Sequence, residues 1–449
     1  MLTPLEPWIQ AKIGLPLGTK LTRDALNDFQ LDRLRETVEH ARRQSPFYRR
    51  HLAEMPGVEL RTLADIDRLP FTTPADILVD DLGFLCVSQK EIERVVTLRS
   101  SGTTNEAKRL HFTAQDLELT VDFFRHGMST MVKPGERVLI LMPGELPGSV
   151  GDLLTQGLAR MGAEGIVHGI VRDEPAAIAA IIAKEIDCIV GLPVQLLGLA
   201  RHADAALIPP GRIKSVLLSA DYVPRTIVRE IESAWGCPVF NHYGMTEMGL
   251  GGVVDCGARS GGHVREADLY VEIIDPATGH PVPDGERGEV VFTTLTRTGM
   301  PLIRYRTGDL SRFIPEPCRC GTVLKRLEWV KGRLAGQVRL GGKYLLSMAD
   351  LDEVLFPLPG LLNFQVALTQ ENGIDLLQVT LFTQGGPAEK LCRSTREELE
   401  NIPALQMTIE GGGLKIAPLV ILDQNWLSSG SIKRTIHDNR DDRREKQIC

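Results

Sequence analysis

Between residues 110 and 250 the sequence keeps switching between two periods. Apolar residues recur at helical spacing over Leu117–Met131, Gly151–Met161, Pro175–Lys184 and Val223–Trp235. Between these segments lie short apolar runs of strand length: Arg137–Met142, Gly165–His168, Asp187–Leu192, Ser215–Ser219 and Cys237–Phe240. Continuous apolar runs are what strands covered on both faces look like, and parallel neighbours need a crossover helix to connect them. The pattern therefore predicts βαβ units around a largely parallel sheet. Ligands of such sheets sit beyond the carboxyl ends of the strands, which singles out the loops after Leu218 and Phe240.

The flanks read differently. Residues 1 to about 95 are mostly helical, with Leu31, Leu34 and Val38 at helical spacing before Arg42–Tyr48 breaks the run. Leu69–Ile77 is extended at first, and Thr73 then caps a helix that opens on Pro74. From 264 to 330, Leu269–Asp275 and Gly288–Thr294 alternate and are separated by turns such as Asp284-Gly285, the mark of an antiparallel subdomain. After about residue 335 a smaller unit follows, with helices over Met348–Phe356 and Pro387–Asn401 and strands over Phe364–Thr369 and Leu376–Phe382. The charge-dense stretch Asp438–Lys446 is expected to fray. The fold class is thus α/β: a large multi-layer domain, residues 1–334, with a small antiparallel β subdomain, and a small mobile α+β domain, residues 335–449.

A net charge of −7 disfavours a nucleic-acid or anionic-membrane surface. The apolar run Ala176–Ala183 is far short of the about 20 residues of a membrane span. Met1–Pro7 lacks the basic start and apolar core of a signal peptide, so the expected location is cytoplasmic. Eight cysteines in 449 residues are too few for a disulfide scaffold.

Several segments carry chemistry. Leu98–Arg109 sets Ser100, Ser101, Gly102, Thr103 and Thr104 ahead of Lys108, a set of donors suited to phosphate oxygens. It is not a P-loop, because Ala107 and Arg109 stand where that pattern has glycine and a hydroxyl; the alternative is a solvated turn. In Asn241–Glu247, Thr246 suits a phosphate contact and Glu247 a Mg²⁺ contact, against a polar turn favoured by Gly244. In Arg304–Leu310, Asp309 could accept both hydroxyls of a ribose or pair with Arg304 or Arg306. Arg333 could hold a nucleotide or bridge two domains; Lys433 could reach a phosphate from a mobile unit or be a solvated lysine.

The order of these segments resembles the acyl-adenylate-forming superfamily, and within it the phenylacetate–CoA ligase branch, over nearly the whole chain. Ser45-Pro46-Phe47-Tyr48 and Leu69-Pro70-Phe71-Thr72-Thr73 match that branch's N-terminal region. The resemblance implies activation of a carboxylic acid by ATP, giving an acyl-AMP and pyrophosphate, and then transfer to coenzyme A. It places Ser100, Ser101, Gly102, Thr103, Thr104 and Lys108 on the β- and γ-phosphates, Thr246 on the α-phosphate and Glu247 on Mg²⁺. Asn241, His242, Tyr243 and Gly244, with Ser219, Ala220 and Asp221, form the adenine side. Asp309 holds the ribose with help from Arg333, and Lys433 bridges carboxylate and α-phosphate. The chain departs from the family at Asn105 and Ala107 in the phosphate loop, at Ser219-Ala220-Asp221, and at the hinge, where Leu334-Ala335-Gly336 replaces an aspartate. Competing readings are a stable adenylate product, transfer to a protein thiol, and a non-catalytic nucleotide-binding protein. The expected partner is a small aryl-type carboxylic acid, with a homodimer left open.

A separate constellation pairs Cys256 with His263 and Cys318 with Cys320. Three cysteines and one histidine in two close-spaced pairs suit a structural tetrahedral Zn²⁺; the alternative is three reduced thiols and a loop histidine. The branch often carries similar residues, which supports zinc.

Overall fold

The computed structural model describes residues 1–16, 18–53, 59–99, 107–385, 388–422, 427 and 434–440. These form two compact units, one of residues 1–169 and 240–330, the other of 170–239 and 331–449.

In the first unit the helix Arg23–Gln44 is capped by Thr22, whose side chain accepts from the Ala25 N–H. It buries Leu26, Gln30, Leu34, Thr37 and Ala41, a single stripe at spacings of three and four. Ser45 ends it and caps the next helix, Pro46–His51, accepting from the Tyr48 N–H at 3.2 Å. Thr73 and Asp76 form a capping box for Pro74–Val79, as the sequence predicts. Strands Arg137–Ile140 and Glu164–Val167 pair in parallel. Leu269–Ile274, Gly288–Thr294 and Tyr305–Ser311 form an antiparallel meander in which Phe292 faces Tyr305. Val239–Tyr243, Val253–Asp255, Gly262–Val264 and Arg326–Leu327 form a second antiparallel run.

The core of this unit holds an unusual member. Arg304 is 1% exposed and sits at φ +46°. Its guanidinium grips Glu272 at 2.9 and 3.2 Å, donates to the carbonyls of Asp67 and Leu69 at 2.8 and 2.7 Å, and lies 4.1 Å from the Phe71 ring centroid. A buried charge is tolerated only with this degree of compensation.

The second unit contains the parallel pair Cys188–Gly191 and Ser215–Leu218. It also holds a sheet built on the hairpin Leu361–Glu371/Ile374–Thr383. Leu414–Ile416 and Val420–Leu422 join the second hairpin strand in parallel, and Ile436–Asp438 joins the first. These three short strands escape the sequence reading. Of the stretch expected to fray, Asp438 and Arg440 are held in place, Arg440 bridging Asp438 at 2.8 Å and Asp375 at 3.0 Å, and residues 441–446 lie outside the described residues. The helix Met348–Leu355 carries Asp352, ion-paired with Arg434, and Glu353, which accepts from the Tyr222 hydroxyl and the Arg225 N–H. Arg434 also lies over Phe356 and Phe364, 4.8 and 4.3 Å from their centroids. Among the described residues no helix is long and apolar enough to cross a membrane.

Candidate functional site

Lys108 stands on the strand Ala107–Thr113, which pairs antiparallel with Ile92–Arg99 so that Leu98 faces Lys108. The hydroxyl-rich stretch lies in sequence between these two paired strands. Ser100, Ser101, Gly102, Thr103 and Thr104 lie outside the described residues, as does Lys433.

The lysine does not point to solvent. Its ammonium pairs with Glu247 and donates to the Tyr305 hydroxyl at 3.1 Å, and that hydroxyl donates to Glu247 Oε1 at 3.2 Å. Glu247 is on a single 3₁₀ turn, Thr246–Met248. The turn is fixed from behind. Arg297 donates to the carbonyls of Glu247 at 3.0 Å and His111 at 2.8 Å, Arg265 donates to the Met248 carbonyl, and Thr120 to the Gly249 carbonyl at 2.8 Å. Glycine is required at 244: a Cβ there would sit 2.6 Å from Gly251 Cα and 2.8 Å from the Leu250 oxygen.

Asp309 belongs to the strand Tyr305–Ser311, in which Tyr305, Thr307 and Asp309 are buried and Gly308, at φ +73°, lies in a bulge between Arg306 and Leu310. Its carboxylate accepts from the Tyr243 hydroxyl at 2.8 Å. The sequence left Arg304 or Arg306 as its partner. Arg304 pairs instead with Glu272, and Arg306 with Glu289. Asn241 donates its N–H to Asp255 at 2.9 Å. His242 packs near Phe123 and Phe124, with centroids at 6.1 and 6.3 Å. Burial, with a smaller contribution from Arg265, lowers its pKa to about 4, so the ring is neutral. Within the first unit, then, Lys108 and Glu247 meet at Tyr305, which the sequence reading passed over, and Tyr243 meets Asp309 on the strand that Tyr305 opens, while Asn241 bonds elsewhere, to Asp255.

Ser219, Ala220, Asp221 and Arg333 are in the second unit. The Ser219 N–H bonds the Gly191 carbonyl at 3.1 Å, so the loop leaves the strand in register. Ala220 holds φ +73°, a left-handed conformation that a Cβ disfavours. Ala220→Gly is expected to raise the unfolding midpoint, by about 1 kcal/mol of stability, in a urea titration. Arg333 lies on the short strand Gly332–Arg333, followed by the 3₁₀ turn Leu334–Gly336.

The sulfur and imidazole cluster closes completely. The ligand atoms of Cys256, His263, Cys318 and Cys320 all lie within 4.8 Å of one another. Sγ of Cys256 and Cys318 are 3.6 Å apart, and Cys320 Sγ is 3.5 Å from His263 Nε2. A disulfide needs about 2.05 Å, so these thiols are not bonded. A tetrahedron with Zn–S near 2.3 Å and Zn–N near 2.05 Å has S···S edges of about 3.8 Å and S···N edges of about 3.6 Å. The arrangement follows from the sheet: Cys256 succeeds Val253–Asp255, and His263 is the middle of the paired strand Gly262–Val264. Burial drives the His263 pKa down to about 4, which keeps the imidazole in its ligand form, and pushes the Cys256 thiol up to about 12. Arg326 ties the two loops, donating to Ser260 O at 2.7 Å and Glu316 O at 2.9 Å.

Comparisons with known proteins identify the family and the fold. Residues 89–296 match the family of AMP-binding enzymes. The phenylacetate–coenzyme A ligase of Pseudomonas putida is 30% identical over 341 residues, 74% of this chain and 76% of that protein. That of Thermus thermophilus is 29% identical over 370 residues, 79% and 81% of the two chains. The fold is also that of 2-hydroxyisobutyryl-CoA ligase in its postadenylation state in complex with 2-HIB-AMP (TM-score 0.80, 20% identity, 97% of this chain and 96% of the other). The chain belongs to the phenylacetate–coenzyme A ligase family of AMP-binding enzymes.

Proposed function

We propose that this protein is an AMP-forming acid–thiol ligase that activates an aryl, phenylacetate-like carboxylic acid with ATP and passes the acyl group to coenzyme A. In the first half-reaction a carboxylate oxygen bonds to the α-phosphorus and the bond to the bridging oxygen breaks, giving acyl-AMP and pyrophosphate. In the second, the coenzyme A sulfur bonds to the acyl carbon and AMP leaves. The nucleophile is already an anion, so positioning and charge neutralisation carry most of the first step.

The observation that supports this most is the contact of Lys108 with Glu247, from segments 139 residues apart, shared by Tyr305 of the strand that also carries Asp309. Lys108, with Ser100, Ser101, Gly102, Thr103 and Thr104, takes the β- and γ-phosphates. Thr246 takes the α-phosphate, and Glu247 is the carboxylate suited to a phosphate-bound Mg²⁺, which supplies charge neutralisation. Asp309 accepts the ribose hydroxyls. Asn241, His242, Tyr243 and Gly244 flank the base. Ser219, Ala220, Asp221, Arg333 and Lys433 take their nucleotide roles from the family resemblance, as does the division at 334/335 into a nucleotide- and acid-binding domain and a mobile one. Cys256, His263, Cys318 and Cys320 hold a structural Zn²⁺, whose closed coordination leaves no position for substrate. The reaction belongs in the cytoplasm, where ATP and coenzyme A are supplied, and a homodimer is the assembly to test by light scattering.

The decisive experiment is acid-dependent exchange of labelled pyrophosphate into ATP over a panel of aryl and aliphatic acids, with thioester formation then followed by coenzyme A consumption. Exchange with an aryl acid followed by coenzyme A consumption is expected. Exchange without that consumption would reject coenzyme A as acceptor, and no exchange with any acid would reject the adenylation chemistry.

A further inference from the structure

Two motifs of the N-terminal region have no part in the chemistry above, yet their side chains converge on one place. Tyr48 Oη accepts from the Ile303 N–H at 2.8 Å and meets Thr72 Oγ1 at 3.1 Å. Thr72 Oγ1 donates to the Ile303 carbonyl at 2.7 Å. The backbone of Thr72 bonds on both sides of Tyr305, its N–H to Arg304 O at 3.1 Å and its carbonyl to Arg306 N at 2.9 Å. Phe71 lies under Arg304 and Arg306, 4.1 and 5.3 Å from its centroid. Every one of these contacts fixes the backbone that flanks Tyr305. Tyr305 is 1% exposed, its ring is tilted against Phe292 with centroids 5.4 Å apart, and its hydroxyl meets Lys108 and Glu247.

We infer that Tyr305 is a positioning residue for nucleotide capture, aimed by the Tyr48–Thr72 clamp, whose hydroxyl keeps Lys108 and Glu247 aligned and satisfied while their mutual ion pair opens to receive Mg·ATP. The inference rests on the proposed adenylation function. Without nucleotide, Lys108 and Glu247 neutralise each other, and their side chains are only 15% and 4% exposed. To take up nucleotide the ammonium must turn to phosphate oxygens and the carboxylate to the cation. A buried charge that loses its partner before gaining the next pays a large desolvation cost. A hydroxyl has one rotatable donor and two acceptor lone pairs, so it can serve the carboxylate and the ammonium together and retain either one through the exchange. A phenyl ring keeps only its π face for Lys108, whose ammonium lies 5.7 Å from the centroid, and offers the carboxylate no donor.

The test uses the full chain and titration calorimetry with α,β-methylene-ATP, which binds without reacting. Tyr305→Phe is expected to weaken binding in Mg²⁺ about tenfold, in line with loss of a hydrogen bond to a charged group, and to raise the half-saturating Mg²⁺ concentration by a similar factor. Tyr48→Phe is the comparison: it removes one hydroxyl of the clamp but leaves the bonds of Thr72 to Ile303, Arg304 and Arg306, so it should lower the thermal midpoint at least as much as Tyr305→Phe while raising the half-saturating Mg²⁺ concentration only about threefold. Wild-type affinity and Mg²⁺ dependence in Tyr305→Phe would overturn the inference. So would losses in the two variants that simply follow their losses of thermal stability. A wild-type protein that binds the analogue but exchanges no pyrophosphate with any acid removes the proposed reaction and leaves the Tyr305 comparison to decide on its own; one that binds no nucleotide removes both.

Discussion

Protein purified without added metal should contain about one zinc per chain, and stripping it should cost of the order of 5 kcal/mol in stability. Zinc binding to an unfolded peptide is worth about 10–16 kcal/mol, but here the strand pairing of Val253–Asp255 with Gly262–Val264 already fixes two ligand positions, so less of that energy is needed to build the site. The loss should spread beyond the cluster. Glu6 accepts from the Thr322 hydroxyl and from the Val323 N–H at 3.2 Å, so the helix Leu5–Lys12 leans on the same loop as Cys318 and Cys320. Metal analysis of reduced protein, with urea titrations of wild type and Cys318→Ser, checks this. No zinc in fresh reduced protein, together with an unshifted midpoint in Cys318→Ser, would show that the four residues hold no metal.

Arg304→Met is the second large effect, expected to destabilise by about 3–5 kcal/mol because it leaves Glu272 buried without its cation. Burial already raises the Glu272 pKa, and Arg304 is the main opposing influence. Without the guanidinium the carboxyl must take up a proton or drag in water. The carbonyls of Asp67 and Leu69 lose their donor at the same time. Replacing both Arg304 and Glu272 with methionine should recover most of the loss, since a buried pair exchanged for apolar groups of similar volume is close to neutral. Urea midpoints for the single and double variants give the answer; a single variant within about 1 kcal/mol of wild type would mean that Glu272 is not held by Arg304.

The elements that were legible in the sequence are those with a strong period or a distinct cap. The stripe of Arg23–Gln44, the Thr73–Asp76 cap and the short apolar strands after 137, 188 and 215 all fall where the pattern puts them. The short strands Leu414–Ile416 and Ile436–Asp438 have three residues each, too few for a period, and His437 and Asp438 are exposed. In the site, Glu247 and Asp309 each had a bland alternative in the sequence, a polar turn and an arginine pair, and it was the order of motifs along the chain that singled them out. Their partners were not legible. Nothing local tells Tyr243 to seek Asp309, 66 residues on, or assigns Arg304 to Glu272 rather than to Asp309. Tyr305 was passed over because an aromatic residue opening a strand is ordinary β composition. What distinguishes it is a contact with Lys108, 197 residues earlier, which only tertiary structure reveals.

The clamp at Tyr48 and Thr72 also bears on how the protein is made. Its bonds to Ile303 close chain loops of 255 and 231 residues. A nascent polypeptide emerges from the ribosome amino end first, so Tyr48 and Thr72 wait for 255 and 231 further residues before their partner exists. During that interval the Phe47, Tyr48 and Phe84 rings, which pack together in the finished protein, lack the strand that seals them. The strand that Tyr305 opens and the amino-terminal segment can therefore complete their packing only after residue 303 has been made.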